Sequence, residues 1–252
     1  MEFELIVPII LLAFVCELVD STLGMGYGTT LTPLLLILGY EPIVIVPAVL
    51  FSEFLTGISA GFFHHEFGNV DLRPGSEASK VAAVLTVFGI VGVVFAVVVA
   101  VNLPAYIVKL YIGLLVLSMG IFILLKRDHK AAFSWRRISG LGLLAAFNKG
   151  ISGGGYGPVV TSGQVLSGIR GRTAVAIASM AEGVTSVVGV GIYLASGTPF
   201  PWQLAPSLLI GALLSVPLSA YFVSRIPAGR LTLIIGGFTT MVGGYTLLRV
   251  FI

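Results

Sequence analysis

Apolar residues gather in ten runs, near positions 3–19, 28–40, 43–63, 79–101, 104–125, 138–148, 157–168, 173–196, 204–223 and 230–251. A helix needs about 20 apolar residues to cross the hydrocarbon of a bilayer, so the longer runs predict membrane helices. The runs at 28–40, 138–148 and 157–168 are too short for an easy crossing and lie beside glycine clusters. That combination predicts half-helices or re-entrant segments. The expected fold is all-α and polytopic, with about eight to ten helical segments.

Composition strengthens this picture. Of 252 residues, 57% are hydrophobic and 10% charged, and the mean hydropathy is +1.07. Soluble domains carry about 25% charged residues, so most of this surface must face lipid or other helices. A multi-pass protein of a cell (inner) membrane is expected, with the lipid bilayer as a partner and a homo-oligomer possible in principle. The net charge of +3 does not indicate a nucleic-acid partner, because the basic residues sit in short gaps between apolar runs. Cys16 is the single cysteine, so no disulfide framework or cysteine metal site is expected, and no cofactor is implied. Met1-Glu2-Phe3-Glu4 lacks the positive start of a cleavable signal, so the first run is expected to be retained.

Sidedness follows from the basic residues. Lys126, Arg127, Lys130, Arg136 and Arg137 form the densest cluster, which the positive-inside rule places in the cytoplasm. Tracing outward puts Arg73, Lys80, Arg170, Arg172, Arg225 and Arg230 on the same side. Lys109 and Arg249 fall opposite and Lys149 falls within a span, leaving eleven of the fourteen basic residues inside. Both termini then lie on the non-cytoplasmic side.

The chain also repeats itself. Gly24-Met25-Gly26-Tyr27-Gly28-Thr29 aligns with Gly153-Gly154-Gly155-Tyr156-Gly157-Pro158 at a shift of 129, which also sets Glu53 on Glu182 and Thr56 on Thr185. At a shift of 123, Pro104-Ala105 meets Pro227-Ala228, Gly113 meets Gly236, Gly120 meets Gly243, and Leu124-Leu125-Lys126 meets Leu247-Leu248-Arg249. Two membrane repeats, 1–127 and 136–252, are therefore expected around a basic linker at 128–135. Each half holds an odd number of crossings, so the halves should have inverted topology about an axis in the membrane plane.

Gly24, Gly26, Gly28, Gly153, Gly154, Gly155 and Gly157 let the backbone leave the helix inside the membrane. Lipid cannot satisfy exposed amides and carbonyls, so such a break must be buried in protein or line a cavity. Helices restarting near Thr29 and Pro158 would aim positive N-terminal ends at that cavity and form an anion site. Close packing through small residues is the competing reading. No strand precedes either cluster, so neither reads as a dinucleotide loop. Tyr27, Tyr156, Thr29, Thr30, Thr161 and Ser162 are candidate donors around the cavity.

Buried charges complete the candidates. A charge at the bilayer centre costs roughly 2.5–3.5 kcal/mol on insertion scales, and Asp20, Glu53, Lys149 and Glu182, with Glu17 less firmly, fall within runs. Lys149 is either a ligand of the substrate anion or the structural partner of Asp20, its repeat equivalent. Glu53 and Glu182, one turn from Thr56 and Thr185, either cap backbone near the breaks or titrate in a proton-coupled cycle. His64 and His65 fall in a solvated loop with Glu66 and Asp71. No nucleophile–base–orienter set is visible, so an enzyme is not expected.

These residues resemble those of the sulfite exporter TauE/SafE family of permeases. The resemblance rests on Gly24 to Gly28 and its copy Gly153 to Gly157, on Pro33, Glu53 and Asn69-Val70-Asp71, and on the layout of nearly the whole chain. It implies a permease for small sulfur-containing oxyanions, sulfite or an organosulfonate such as sulfoacetate, exported by alternating access. A proton-coupled uptake permease, or a channel-like conduit, for thiosulfate or sulfate is the alternative. Lys149 and Pro158 replace Asp20 and Thr29 in the second copy, so the halves need not contribute equally.

Overall fold

The computed structural model describes residues 6–24, 26–125, 133–222, 237 and 239–248. Among them nine helices are bounded: α1 (Val7–Leu23), α2 (Tyr27–Ile37), α3 (Pro42–Glu66), α4 (Glu77–Asn102), α5 (Ala105–Leu125), α6 (Trp135–Ser152), α7 (Tyr156–Leu166), α8 (Gly171–Ala195) and α9 (Ala205–Phe222). Residues 239–248 are helical too, and no described residue is in a strand. Most of the 128–135 linker, the matches at Pro227-Ala228 and Gly236, and Met25 and Arg249 lie outside the described residues.

Local chemistry sets the ends of these helices. Pro8 and Pro42 occupy first turns, where a missing N–H costs nothing. Ser76 caps α4 by accepting the Ser79 amide at 3.1 Å. Gly24 and Gly153 end α1 and α6 in the left-handed conformation that glycine adopts without strain.

Length then sorts the helices. Five of the described helices, α3, α4, α5, α8 and α9, are long and apolar enough to cross a membrane. By contrast α2 and α7 hold 11 residues each, about 16 Å of helix against about 30 Å of hydrocarbon. They reach partway only. Large apolar side chains cover the outside while charged and polar ones lie buried among apolar neighbours: Val87, Phe95, Leu144 and Leu214 are all more than half exposed, whereas Lys149, Glu53 and Thr56 are buried. Such a surface suits lipid.

Contacts fix the directions. Thr173, near the start of α8, donates to the Asn69 carbonyl just beyond the end of α3, so these two packed helices run antiparallel. Ile9 of α1, Leu35 of α2, Ile45 of α3 and Leu204 and Ala205 at α9 share one apolar cluster, and the Ile6 amide donates to Ser207. Hence α1 and α2 form a hairpin with both ends where α3 begins. In the other half, Leu141 of α6 packs against Gly163 of α7, and Leu85 near the start of α4 packs against Gly142 of α6. That hairpin therefore enters where α3 ends and α8 begins.

One sequence expectation needs correction. The polar trio His64-His65-Glu66 reads as loop, but α3 runs through Glu66. His64 is fully buried, with Nε2 3.2 Å from the Ser21 carbonyl and Nδ1 3.1 Å from the Asn69 amide nitrogen. A helix C-terminus suits histidine, and the tip of the first hairpin supplies a partner that no local pattern reveals. The run at 138–148 is the middle of an 18-residue helix, the first arm of the α6–α7 hairpin. Its polar end, Asn148 and Lys149, stays helical because it is buried against other helices rather than lipid.

Candidate functional site

The two glycine breaks face each other in the bundle interior. The backbone bends at matching places, with φ of 70° at Gly24 and 144° at Gly26 in the first copy and 71° at Gly153 and 82° at Gly155 in the second. Side chains there would be strained. The breaks also touch: a methyl group on Gly154 would sit 2.6 Å from the Gly28 carbonyl carbon and the Thr29 nitrogen, and one on Gly28 would overlap the Gly153 carbonyl. Close packing and an opened backbone are therefore one arrangement here, not alternatives.

Each break is sealed by a hydroxyl from the opposite half. The Thr161 hydroxyl donates to the Gly24 carbonyl at 2.8 Å, and Thr29 Oγ1 accepts the Gly155 amide at 2.9 Å. Orphan backbone groups in a water-poor interior are thereby satisfied. The helices restart at Tyr27 and Tyr156, two residues earlier than the sequence suggests, so Pro158 is the third helical residue of α7. Ser152 accepts the Gly154 amide at 3.1 Å, completing the second break.

The tyrosines differ between copies. The Tyr27 hydroxyl is 2.9 Å from Ser52 Oγ. At the shift of 129, Ser52 becomes Ala181, and the Tyr156 hydroxyl, fully buried, has no hydrogen-bond partner among the described residues. Thr32 Oγ1 is also buried and unpartnered. It stands against Gly153 as its repeat equivalent, Thr161, stands against Gly24.

Charge completes the site. Lys149, at 0% exposure, bonds Glu182 Oε1 at 2.7 Å and also Glu53 Oε2, so two repeat-equivalent carboxylates hold one ammonium. Glu53 and Glu182 are each the twelfth residue of a 25-residue helix, which sets the group at mid-depth. Asp20 is buried but does not pair with Lys149 within 4 Å, so of the two readings of Lys149 the partnership with Asp20 is corrected. The lysine chain instead reaches the crossing of α3 and α8. Neither glutamate is tied to a break. Thr185 bonds back to the carbonyls of Ala181 and Glu182 and is committed within its own helix. Thr56 is buried one turn beyond Glu53, and Thr30 is half-buried.

The sequence reading missed Thr32, Ser52, Asn148 and Ser152. Thr32 was within reach, because the shift that pairs the glycine motifs also pairs Thr161 with it. Asn148, bonded to Tyr111 at 2.6 Å, carries no such signal. Among the described residues no group of three or more histidine, cysteine, aspartate or glutamate side chains is arranged to hold a metal.

A family profile described as Sulfite exporter TauE/SafE matches residues 9–246. The chain belongs to the TauE/SafE family. Among curated proteins it is 29% identical over 246 residues to the "Probable membrane transporter protein YtnM" of Bacillus subtilis (strain 168), covering 92% of this chain and 79% of that protein. No solved structure matches it. The TauE/SafE match makes this a membrane transporter.

Proposed function

We propose that this TauE/SafE protein exports a small sulfur oxyanion, sulfite or an organosulfonate such as sulfoacetate, across the inner membrane. The anion is held where the two glycine breaks meet. The observation that carries this reading is the pair of buried, unpartnered hydroxyls, that of Thr32 against Gly153 and that of Tyr156, which opens α7 directly after the break. A buried donor without a partner costs free energy, and an oxyanion accepts what these groups offer. The N-terminus of α7 adds partial positive charge at the same place.

Alternating access suits the arrangement of the halves. Helix bounds in the first half recur in the second at a shift of 129 for α2 and α7 and for α3 and α8. Contacts are exchanged in the same way. Gly24 meets Thr161 while Gly153 meets Thr32, and Gly120 meets Thr240 while Gly243 meets Leu117. Exchanged contacts of this kind characterise a two-fold relation, and hairpins entering from opposite ends support inversion. Rocking one half against the other would then open the central site to each face in turn.

The test compares Tyr156→Phe with Tyr27→Phe. Tyr156→Phe breaks no protein hydrogen bond, so thermal stability should stay within about 0.5 kcal/mol, while the KM for sulfite or sulfoacetate in proteoliposomes rises about tenfold or more, as expected for a bond to a charged group. Tyr27→Phe should cost about 1 kcal/mol of stability through its bond to Ser52. An unchanged KM in Tyr156→Phe would refute the site.

The basic bias places the junction of α3 and α4 in the cytoplasm. On a Cys16→Ala background, Glu77→Cys should be labelled only from the cytoplasmic face and Ser196→Cys only from the other. Labelling of both from one face would contradict the proposed topology.

A further inference from the structure

Among the described residues the interior buries four carboxylates, Glu17, Asp20, Glu53 and Glu182, and one lysine or arginine, Lys149. Lys149 is held by Glu53 and Glu182. Glu17 Oε1 accepts from Ser21 at 2.6 Å, while Oε2 has no partner. With both carboxylates ionised, one ammonium between them would leave a net charge of −1, in a setting where charge is poorly screened.

A substrate anion has to fit into this account. Two of the three N–H donors of Lys149 are held by Glu53 and Glu182, so an anion that takes one of those two bonds displaces a glutamate. If nothing else moved, the loaded site would hold charge −2 for a monoanion, with a carboxylate left without its cation. If the displaced carboxylate takes a proton, the loaded site returns to −1, the same as the empty one.

Resting on the anion-transport reading above, we propose that Lys149 passes between Glu53 or Glu182 and the transported anion, and that the displaced glutamate binds a proton in the same step. An O–H bond forms on the carboxylate with a proton drawn from water on the open side. On the far side the anion leaves, that bond breaks, the proton returns to water, and the carboxylate takes Lys149 back. Anion and proton cross together, one for one, and a monoanion crosses without moving net charge.

Glu17 and Asp20 on α1 are the other buried carboxyls within electrostatic range of the group. Tyr27 on α2 and Tyr156 on α7 face the group as neutral phenols, the latter ring centroid 5.9 Å from Lys149 Nζ. Tyr111 of α5 is tied to Asn148, and Tyr193 of α8 to the Gly150 carbonyl. The charged residues of α4 and α5, namely Glu77, Lys80 and Lys109, are in ion pairs with partly exposed side chains, and α9 carries none.

The experiment uses the full chain in proteoliposomes, with the potential clamped by potassium and valinomycin. Methanesulfonate and sulfoacetate are the probes, because permanently ionised sulfonates do not follow a pH gradient through lipid. A pH gradient alone should drive methanesulfonate uphill toward the alkaline side, by up to about tenfold per pH unit for one proton per anion. Glu53→Gln or Glu182→Gln should reduce this to downhill equilibration. Methanesulfonate flux that follows the potential and ignores the pH gradient overturns the coupling while leaving anion transport standing. A sodium gradient that drives accumulation where the pH gradient does not overturns the proton as the co-ion. Uphill movement retained in both glutamine variants overturns the assignment of the carrier residues. If neither anion moves under any gradient, the anion reading fails and the coupling with it.

Discussion

Gly28→Ala should leave little folded protein and no measurable transport. The added methyl meets the Gly153 carbonyl and the Gly154 Cα, which are backbone atoms of the opposite break and cannot rotate away. Overpacking a well-filled interior costs up to about 3 kcal/mol when side chains can adjust, and here the backbone itself must move. Gly154→Ala should behave similarly, because its methyl would meet the Gly28 carbonyl and the Thr29 nitrogen at 2.6–2.7 Å. Gly140 and Gly191, helical and with nothing within 4 Å of an added methyl, are the controls. Alanine there should be neutral or stabilising by up to about 1 kcal/mol. Monodisperse yield in detergent and flux in proteoliposomes measure both effects, and a well-folded, active Gly28→Ala protein would contradict the packing of the two breaks.

Lys149→Met should destabilise the protein by about 3–5 kcal/mol and abolish transport. Removing one partner of a buried ion pair leaves charge uncompensated, and here two carboxylates lose their cation together. Adding Asp20→Ala should restore little stability, since Asp20 is not the partner. Adding Glu53→Gln and Glu182→Gln should restore most of the stability and none of the transport. Thermal unfolding in detergent separates these outcomes, and rescue by Asp20→Ala alone would reinstate the pair that the sequence suggests.

The contrast shows where sequence reasoning reached its limit. The breaks at Gly24–Gly28 and Gly153–Gly157 were legible, because positive-φ turns in apolar surroundings need glycine and the motif occurs twice. So was the fold class, since a chain so poor in charge cannot be solvated. The partner of Lys149 was not legible. The shift of 129 sets Asp20 on Lys149, but residues aligned by a sequence shift are not thereby neighbours, and the neighbours come from α3 and α8. His64 was missed for a similar reason, because polarity along the chain does not reveal which face of a helix meets Ser21 and Asn69. The unpartnered Tyr156 hydroxyl depends on Ala181 standing where the other half has Ser52, a difference visible only once contacts are known.

The distribution of the central ion group over three helices has a consequence for biogenesis. Glu53 is synthesised first, Lys149 follows 96 residues later, and Glu182 emerges 33 residues after that. Each faces an insertion cost of roughly 2.5–3.5 kcal/mol while it is alone in lipid. During synthesis α3 must therefore hold its glutamate in the membrane, or delay full insertion, until the α6–α7 hairpin arrives. That hairpin cannot enter as an independent span either, since α7 covers only about half the hydrocarbon. A nascent chain halted before α8 carries a lysine with one carboxylate and a hairpin with no helix to lie against. Such an intermediate is a natural client for insertion chaperones and quality-control proteases.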